Sequence, residues 1–80
     1  PTIKELRNKL SAIADTELEK TVASMDHLSE EDVRALHRMT DAMIKKILHD
    51  PMRFLKDPGT HRDKSLYIDV TRKIFNLEDE

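Results

Sequence analysis

The sequence predicts an all-α fold, and three observations carry that reading. Glycine and proline are scarce, one and three in 80 residues. Charged residues make up 38% of the chain, and only three residues are aromatic, Phe54, Tyr67 and Phe75. Apolar residues recur at steps of three and four, the spacing of one helix face, over long uninterrupted stretches. The expected architecture is a single domain over residues 1–80, a helical bundle of about four helices with a long first helix.

The first stripe is Ile3, Leu6, Leu10, Ile13, Ala14, Leu18, Val22, Met25 and Leu28, and no glycine or proline interrupts it. From Ile3 to Met25 is roughly six turns, with a register shift at Glu17, where a heptad begun at Ile3 and Leu6 wants an apolar residue. A helix over the whole uninterrupted stretch, Thr2 to Leu28, spans roughly 40 Å. A compact 80-residue globule is only about 30 Å across. The first helix should therefore overhang its own domain, and a second chain is the natural cover for the exposed part of its seam.

Ser29-Glu30-Glu31-Asp32 reads as the next helix N-terminus. Ser29 is a good N-cap, the three acids suit the positive end of the helix dipole, and Asp32 is a weaker capping-box partner than glutamate. The stripe behind it is Val33, Leu36, Thr40, Met43, Ile44, Ile47 and Leu48, closing on Lys45, Lys46 and His49. Asp50-Pro51 should restart the chain, with Asp50 as cap and Pro51 at the first helical position of a short helix to Lys56 that buries Met52 and Leu55. Asp57-Pro58-Gly59-Thr60 is turn chemistry, and the loop runs on through His61 and Arg62. A last helix should run from Asp63 or Lys64 to Asn76, with Leu66, Tyr67, Val70, Ile74 and Leu77 inward, before the acidic tail Glu78-Asp79-Glu80.

Composition narrows the function. The 38% hydrophobic fraction is about 30 side chains, five of them alanine, a thin core for a chain at the size where burial barely outweighs conformational entropy. There is no cysteine, hence no disulfide, thiolate zinc site or thiol nucleophile. One glycine cannot build a phosphate-binding loop. No apolar run approaches a membrane span. The net charge of −2 and the three aromatics provide neither a phosphate-binding patch nor a base-stacking platform.

The four histidines, His27, His37, His49 and His61, form no evident ligand set; His37 and Asp41 have helical metal-site spacing but lack a third partner. His49 suits a hydrogen-bonding role at a helix end. Glu17 and Glu19 point to different helix faces, and Glu30, Glu31 and Asp32 are accounted for by the helix dipole. Ser11, Ser24, Ser29 and Ser65 lack a nucleophile-elbow context. The methionines Met25, Met39, Met43 and Met52 suit core or interface filling, or an adaptable binding groove.

Several strings together resemble one family. Pro1-Thr2-Ile3 with Leu6-Arg7, then Glu17-Leu18-Glu19-Lys20, are similar to the start of the C-terminal dimerisation domain of glutamyl-tRNA reductase. Lys46-Ile47-Leu48-His49-Asp50-Pro51, followed by Leu55-Lys56, is the most specific string. Tyr67 and Arg72-Lys73-Ile74-Phe75 with Leu77 resemble that domain's closing helix, so the likeness covers nearly the whole chain. It implies a parent that reduces glutamyl-tRNA to glutamate-1-semialdehyde with NADPH, the first committed step of tetrapyrrole (porphyrin) synthesis by the five-carbon route. It also implies a V-shaped dimer whose catalytic cysteine and nucleotide fingerprint lie in two other domains. No catalytic, cofactor or metal residue carries over to this chain. Leu48, His49, Asp50 and Pro51 carry over as a structural helix-end element. The missing initial methionine agrees with a domain excised from a longer chain.

The expectation is thus a non-catalytic homodimerisation domain, its bundle completed by a second copy, in a cytoplasmic enzyme. NADPH and glutamyl-tRNA would be bound elsewhere in the parent, with no membrane contact and any regulatory partner unknown. Interface candidates are Leu6, Leu10, Ile13, Leu18, Val22, Met39, Met43, Ile44 and Ile47, not separable by sequence from intrachain core. The alternative is a free-standing helical adaptor that docks a partner helix or regulatory protein in a Met-lined groove.

Overall fold

The computed structural model describes residues 1–57, 59 and 63–77. Among them the chain forms three helices, α1 (Thr2–Ala23), α2 (Glu30–Lys56) and α3 (Lys64–Ile74). α1 and α2 make an antiparallel hairpin, and α3 packs on its open end. Pro58, Thr60, His61, Arg62 and the acidic tail 78–80 lie outside the described residues, so most of the expected loop and the tail have no structural account. Within the turn, the Asp57 carboxylate accepts the Gly59 N–H at 2.8 Å.

α1 is shorter than its apolar stripe. It ends at Ala23, where the Ser24 hydroxyl donates to the Thr21 carbonyl at 2.7 Å. The Ser24 and Met25 N–H groups bond three residues back, which tightens the last turn. The Ser24 side chain thus competes for a backbone acceptor of the last turn, against a periodicity that continues to Leu28. At the start of α2 the capping box is complete. Asp32 N–H donates to Ser29 Oγ at 3.0 Å, and Ser29 N–H donates to Asp32 Oδ2 at 3.1 Å.

The expected helix restart at Asp50-Pro51 does not occur. α2 runs unbroken for 27 residues with Pro51 inside it, so Leu48, His49, Asp50 and Pro51 are helix interior rather than a helix end. The expected short fourth helix is the last part of α2. Proline removes the hydrogen bond to the carbonyl of Ile47 and crowds it. Ile47 lies on the exposed side, where water can take that bond. Continuity in turn keeps Leu48 and Leu55, two turns apart, buried on one face.

The core is small. Leu6, Ile44, Leu48 and Leu77 form one cluster, with Leu10 and Ala14 packed against it. Leu6 and Leu48 are 1% exposed, each contributing about 1.5–3 kcal/mol over an exposed position. Leu77 reaches this cluster through the end of α3. Asn76 takes a left-handed φ of 54°, the Leu77 N–H donates to the Arg72 carbonyl at 2.8 Å, and the Asn76 N–H to the Lys73 carbonyl at 3.3 Å. This is a Schellman end, and it turns the chain so that Leu77 points inward. Lys9 Nζ donates to the carbonyls of Phe75 and Asn76 at 2.8 and 3.2 Å, satisfying acceptors the helix leaves free.

α3 also corrects the expected facing. Leu66, Val70 and Ile74 point outward, while Tyr67, Thr71 and Arg72 face the hairpin. The Tyr67 ring meets Phe54 edge-on at 4.8 Å. The periodicity marked a face to be covered, but within this chain that face is open.

Candidate self-association surface

The molecule is long and thin, 53 × 24 × 15 Å, with a radius of gyration of 16.0 Å. A compact chain of this length has a radius of about 12 Å. Its accessible surface is 6467 Å², about 1,500 Å² more than a compact monomer of this mass exposes.

Open apolar surface runs between the two helices of the hairpin. A groove of about 600 Å³ runs between α1 and α2 towards their connection, walled by Ala14, Leu18, Met25, Leu36, Met39 and Met43. A smaller hollow of about 200 Å³, lined by Leu10, Ile13, Ala14, Met43, Ile44 and Ile47, shares Ala14, Thr40 and Met43 with it and continues it. Its polar margin is Glu17, Thr21, Asp32 and Thr40. Glu17, the residue that breaks the heptad, sits on this rim and pairs with Lys20 at 3.3 Å.

The interface candidates divide by burial. Leu6, Leu18 and Ile44 are buried inside the chain, and Leu10 and Val22 are half-buried. Ile13, Met39, Met43 and Ile47 are 53, 51, 52 and 57% exposed. Sequence reasoning missed Phe54 and Phe75 as exposed apolar residues and placed Leu66, Val70 and Ile74 inside. The usable signal was the size of α3, whose 11 residues cannot cover a 27-residue partner.

One buried-edge polar cluster ties the two ends of the chain together. Arg72 Nη1 and Nη2 donate to Glu5 Oε2 and Oε1 at 2.6 and 2.9 Å, and Nη1 reaches Thr2 Oγ1 at 3.2 Å. The Arg72 hydrogen bond holds the Glu5 carboxyl below its ordinary value of 4.5; desolvation opposes this, and the charges of Arg72 and the N-terminus add to it. The cluster fixes α3 against α1.

Among the described residues no three His, Asp or Glu side chains converge as a metal site, and none of their helices is long and apolar enough to cross a membrane. The groove has apolar walls and the acids Glu17 and Asp32 on its margin. Such a lining fits an apolar protein surface.

A family model described as glutamyl-tRNAGlu reductase, dimerisation domain, matches residues 1–77. Among curated relatives, a glutamyl-tRNA reductase of Syntrophobacter fumaroxidans is 43% identical over 79 residues, 99% of this chain and 17% of the relative. Those of Desulfatibacillum aliphaticivorans and Desulfotalea psychrophila are 42% and 40% identical, covering 96% and 98% of this chain and 18% and 19% of the relatives. The chain thus spans less than a fifth of the length of the relatives it matches. No solved structure matches it.

Proposed function

The chain belongs to the glutamyl-tRNA reductase dimerisation-domain family, and on that premise we propose that it is a single domain, residues 1–80, that pairs with a second copy of itself across the groove side of the α1–α2 hairpin. The observation that carries this is the open apolar groove on a chain with a surface surplus of about 1,500 Å². A standard interface buries about 800 Å² per partner. Val22 lies outside the groove, in a separate hollow with Val33 and His37. Ile13, Met39, Met43 and Ile47 supply the exposed apolar part, with Leu10 at its edge. Burying them in a partner is the hydrophobic term a thin core leaves unused.

In this reading the longer protein, like the relatives' name, is a glutamyl-tRNA reductase. It converts glutamyl-tRNA to glutamate-1-semialdehyde with NADPH, for tetrapyrrole synthesis in the cytoplasm. Reduction takes place on other domains, since this chain has no cysteine and one glycine. Its contribution is geometric, fixing the distance and angle between two catalytic arms.

Sedimentation equilibrium of the chain tests the pairing. The expected result is a dimer at micromolar concentration, and a Met43→Asp variant that is monomeric yet helical. Met43 is exposed in the single chain, so the new carboxylate is costly only where a partner would dry it. A folded monomer at every concentration overturns the reading and favours an adaptor for a partner helix.

A further inference from the structure

We infer that each copy seats the outward stripe of its α3 in the α1–α2 groove of the other, so that the dimer is held by two reciprocal helix-in-groove contacts about a two-fold axis. This rests on the pairing proposed above and specifies its geometry.

The first argument is placement. On α2, Met43, Ile47 and Phe54 stand at steps of four and seven, hence on one face. Met43 and Ile47 line the groove, and Phe54 holds Tyr67 of α3. On α1, Lys9 binds the end of α3, and Ile13, one turn further, lines the groove. α3 therefore occupies the open-end half of the very side on which the groove opens, and the groove begins where α3 ends.

The second argument is the stripe. Leu66, Val70 and Ile74 are 58, 42 and 71% exposed, while Tyr67 and Arg72 on the same helix are partly covered. The stripe thus points away from its own hairpin. A groove-to-groove contact would leave it in water, although it is an unbroken i, i+4, i+8 row of large aliphatic side chains.

The third argument is length. α3 has 11 residues, about 16 Å of helix. The groove wall on α1 from Leu10 to Thr21 is about 16 Å. A least extent of 15 Å matches two helix layers about 10 Å apart at the α3 end. Turning a second copy end for end lays its α3 in the missing half-layer. The result is three layers, with a hairpin outside on each face and the two short helices end to end between them. The patch is self-complementary, since the groove of one copy meets α3 of the other and the reverse. Among the described residues ten large hydrophobic side chains are exposed on the single chain, and a standard interface covers about 800 Å² per partner.

The test uses two charge variants, Val70→Asp on α3 and Met43→Lys in the groove, alone and mixed, by sedimentation and circular dichroism. Each alone is expected to be a monomer. An equimolar mixture is expected to recover a 1:1 heterodimer, because one of its two contacts is wild-type on both sides and the other pairs Asp with Lys. Failure of the mixture to associate overturns the inference. A Val70→Asp chain that dimerises as the wild type also overturns it, while leaving the pairing itself standing. A wild-type chain that is monomeric overturns both. Should Val70→Asp lose its helical signal, Ile74→Ala serves instead. Association weakened at least about tenfold at full helicity supports the contact, and unchanged association overturns it.

Discussion

Arg72 and Glu5 join the last helix to the first turn of the chain through a two-pronged contact at 2.6 and 2.9 Å. The fork geometry of the guanidinium makes this a positional restraint as well as a charge pair. The sign of its pH dependence follows from the lowered Glu5 pKa. A carboxylate whose folded pKa lies below its unfolded value contributes stability that is fully present above the unfolded value and is lost as pH falls through the folded one. The wild type is therefore expected to melt above Glu5→Gln at neutral pH, and the gap to close on acidification from 4.5 downward. Thermal unfolding of both proteins across that range checks it; a gap that is constant with pH would show that the contact acts by packing alone. Leu77 was expected inward and is buried, but the Arg72–Glu5 pair was not legible in the sequence. Its two partners lie 67 residues apart, and nothing local connects them.

At the scale of elements, local chemistry was readable where it is self-contained. Ser29 and Asp32 cap α2 as their types and spacing dictate. Pro51 shows the limit of such rules. A proline is compatible with a helix start and with a costly interior position. The choice was made by Leu48 and Leu55, which are buried together only if the helix does not break. Pro51→Ala is expected to restore the bond to the Ile47 carbonyl and raise stability by about 1–3 kcal/mol at fixed protein concentration. Urea unfolding measures it. No gain would mean that Pro51 offsets the lost bond by restricting the unfolded chain.

At the scale of the molecule, thickness is the governing quantity. A body 15 Å thick is too thin to bury both sides of its helices, whose diameter with side chains is about 10–12 Å each. The pairing proposed here makes folding and association partly one process, so the thermal midpoint is expected to rise with protein concentration. Calorimetry over a hundredfold range checks this. Ile44→Asp should behave differently from the exposed-site variants: Ile44 is buried within the chain, and its variant is expected to unfold at every concentration.

The sequence by itself determined the helical class, the α2 cap, the absence of thiol and phosphate-loop chemistry, and the shortage of core. Each of these follows from composition or from contacts within a few residues. It also marked which faces must leave water, because periodicity records burial. Only the tertiary structure decided which chain does the burying. Leu6, Leu18 and Ile44 are covered by their own fold, whereas Ile13, Met39, Met43 and Ile47, and the whole stripe of α3, are not. The physical reason is that hydrophobic burial has no direction and no preference for its own chain. An apolar stripe has the same period whether its cover is a neighbouring helix or a second molecule, and only the three-dimensional count of what is left uncovered separates the two.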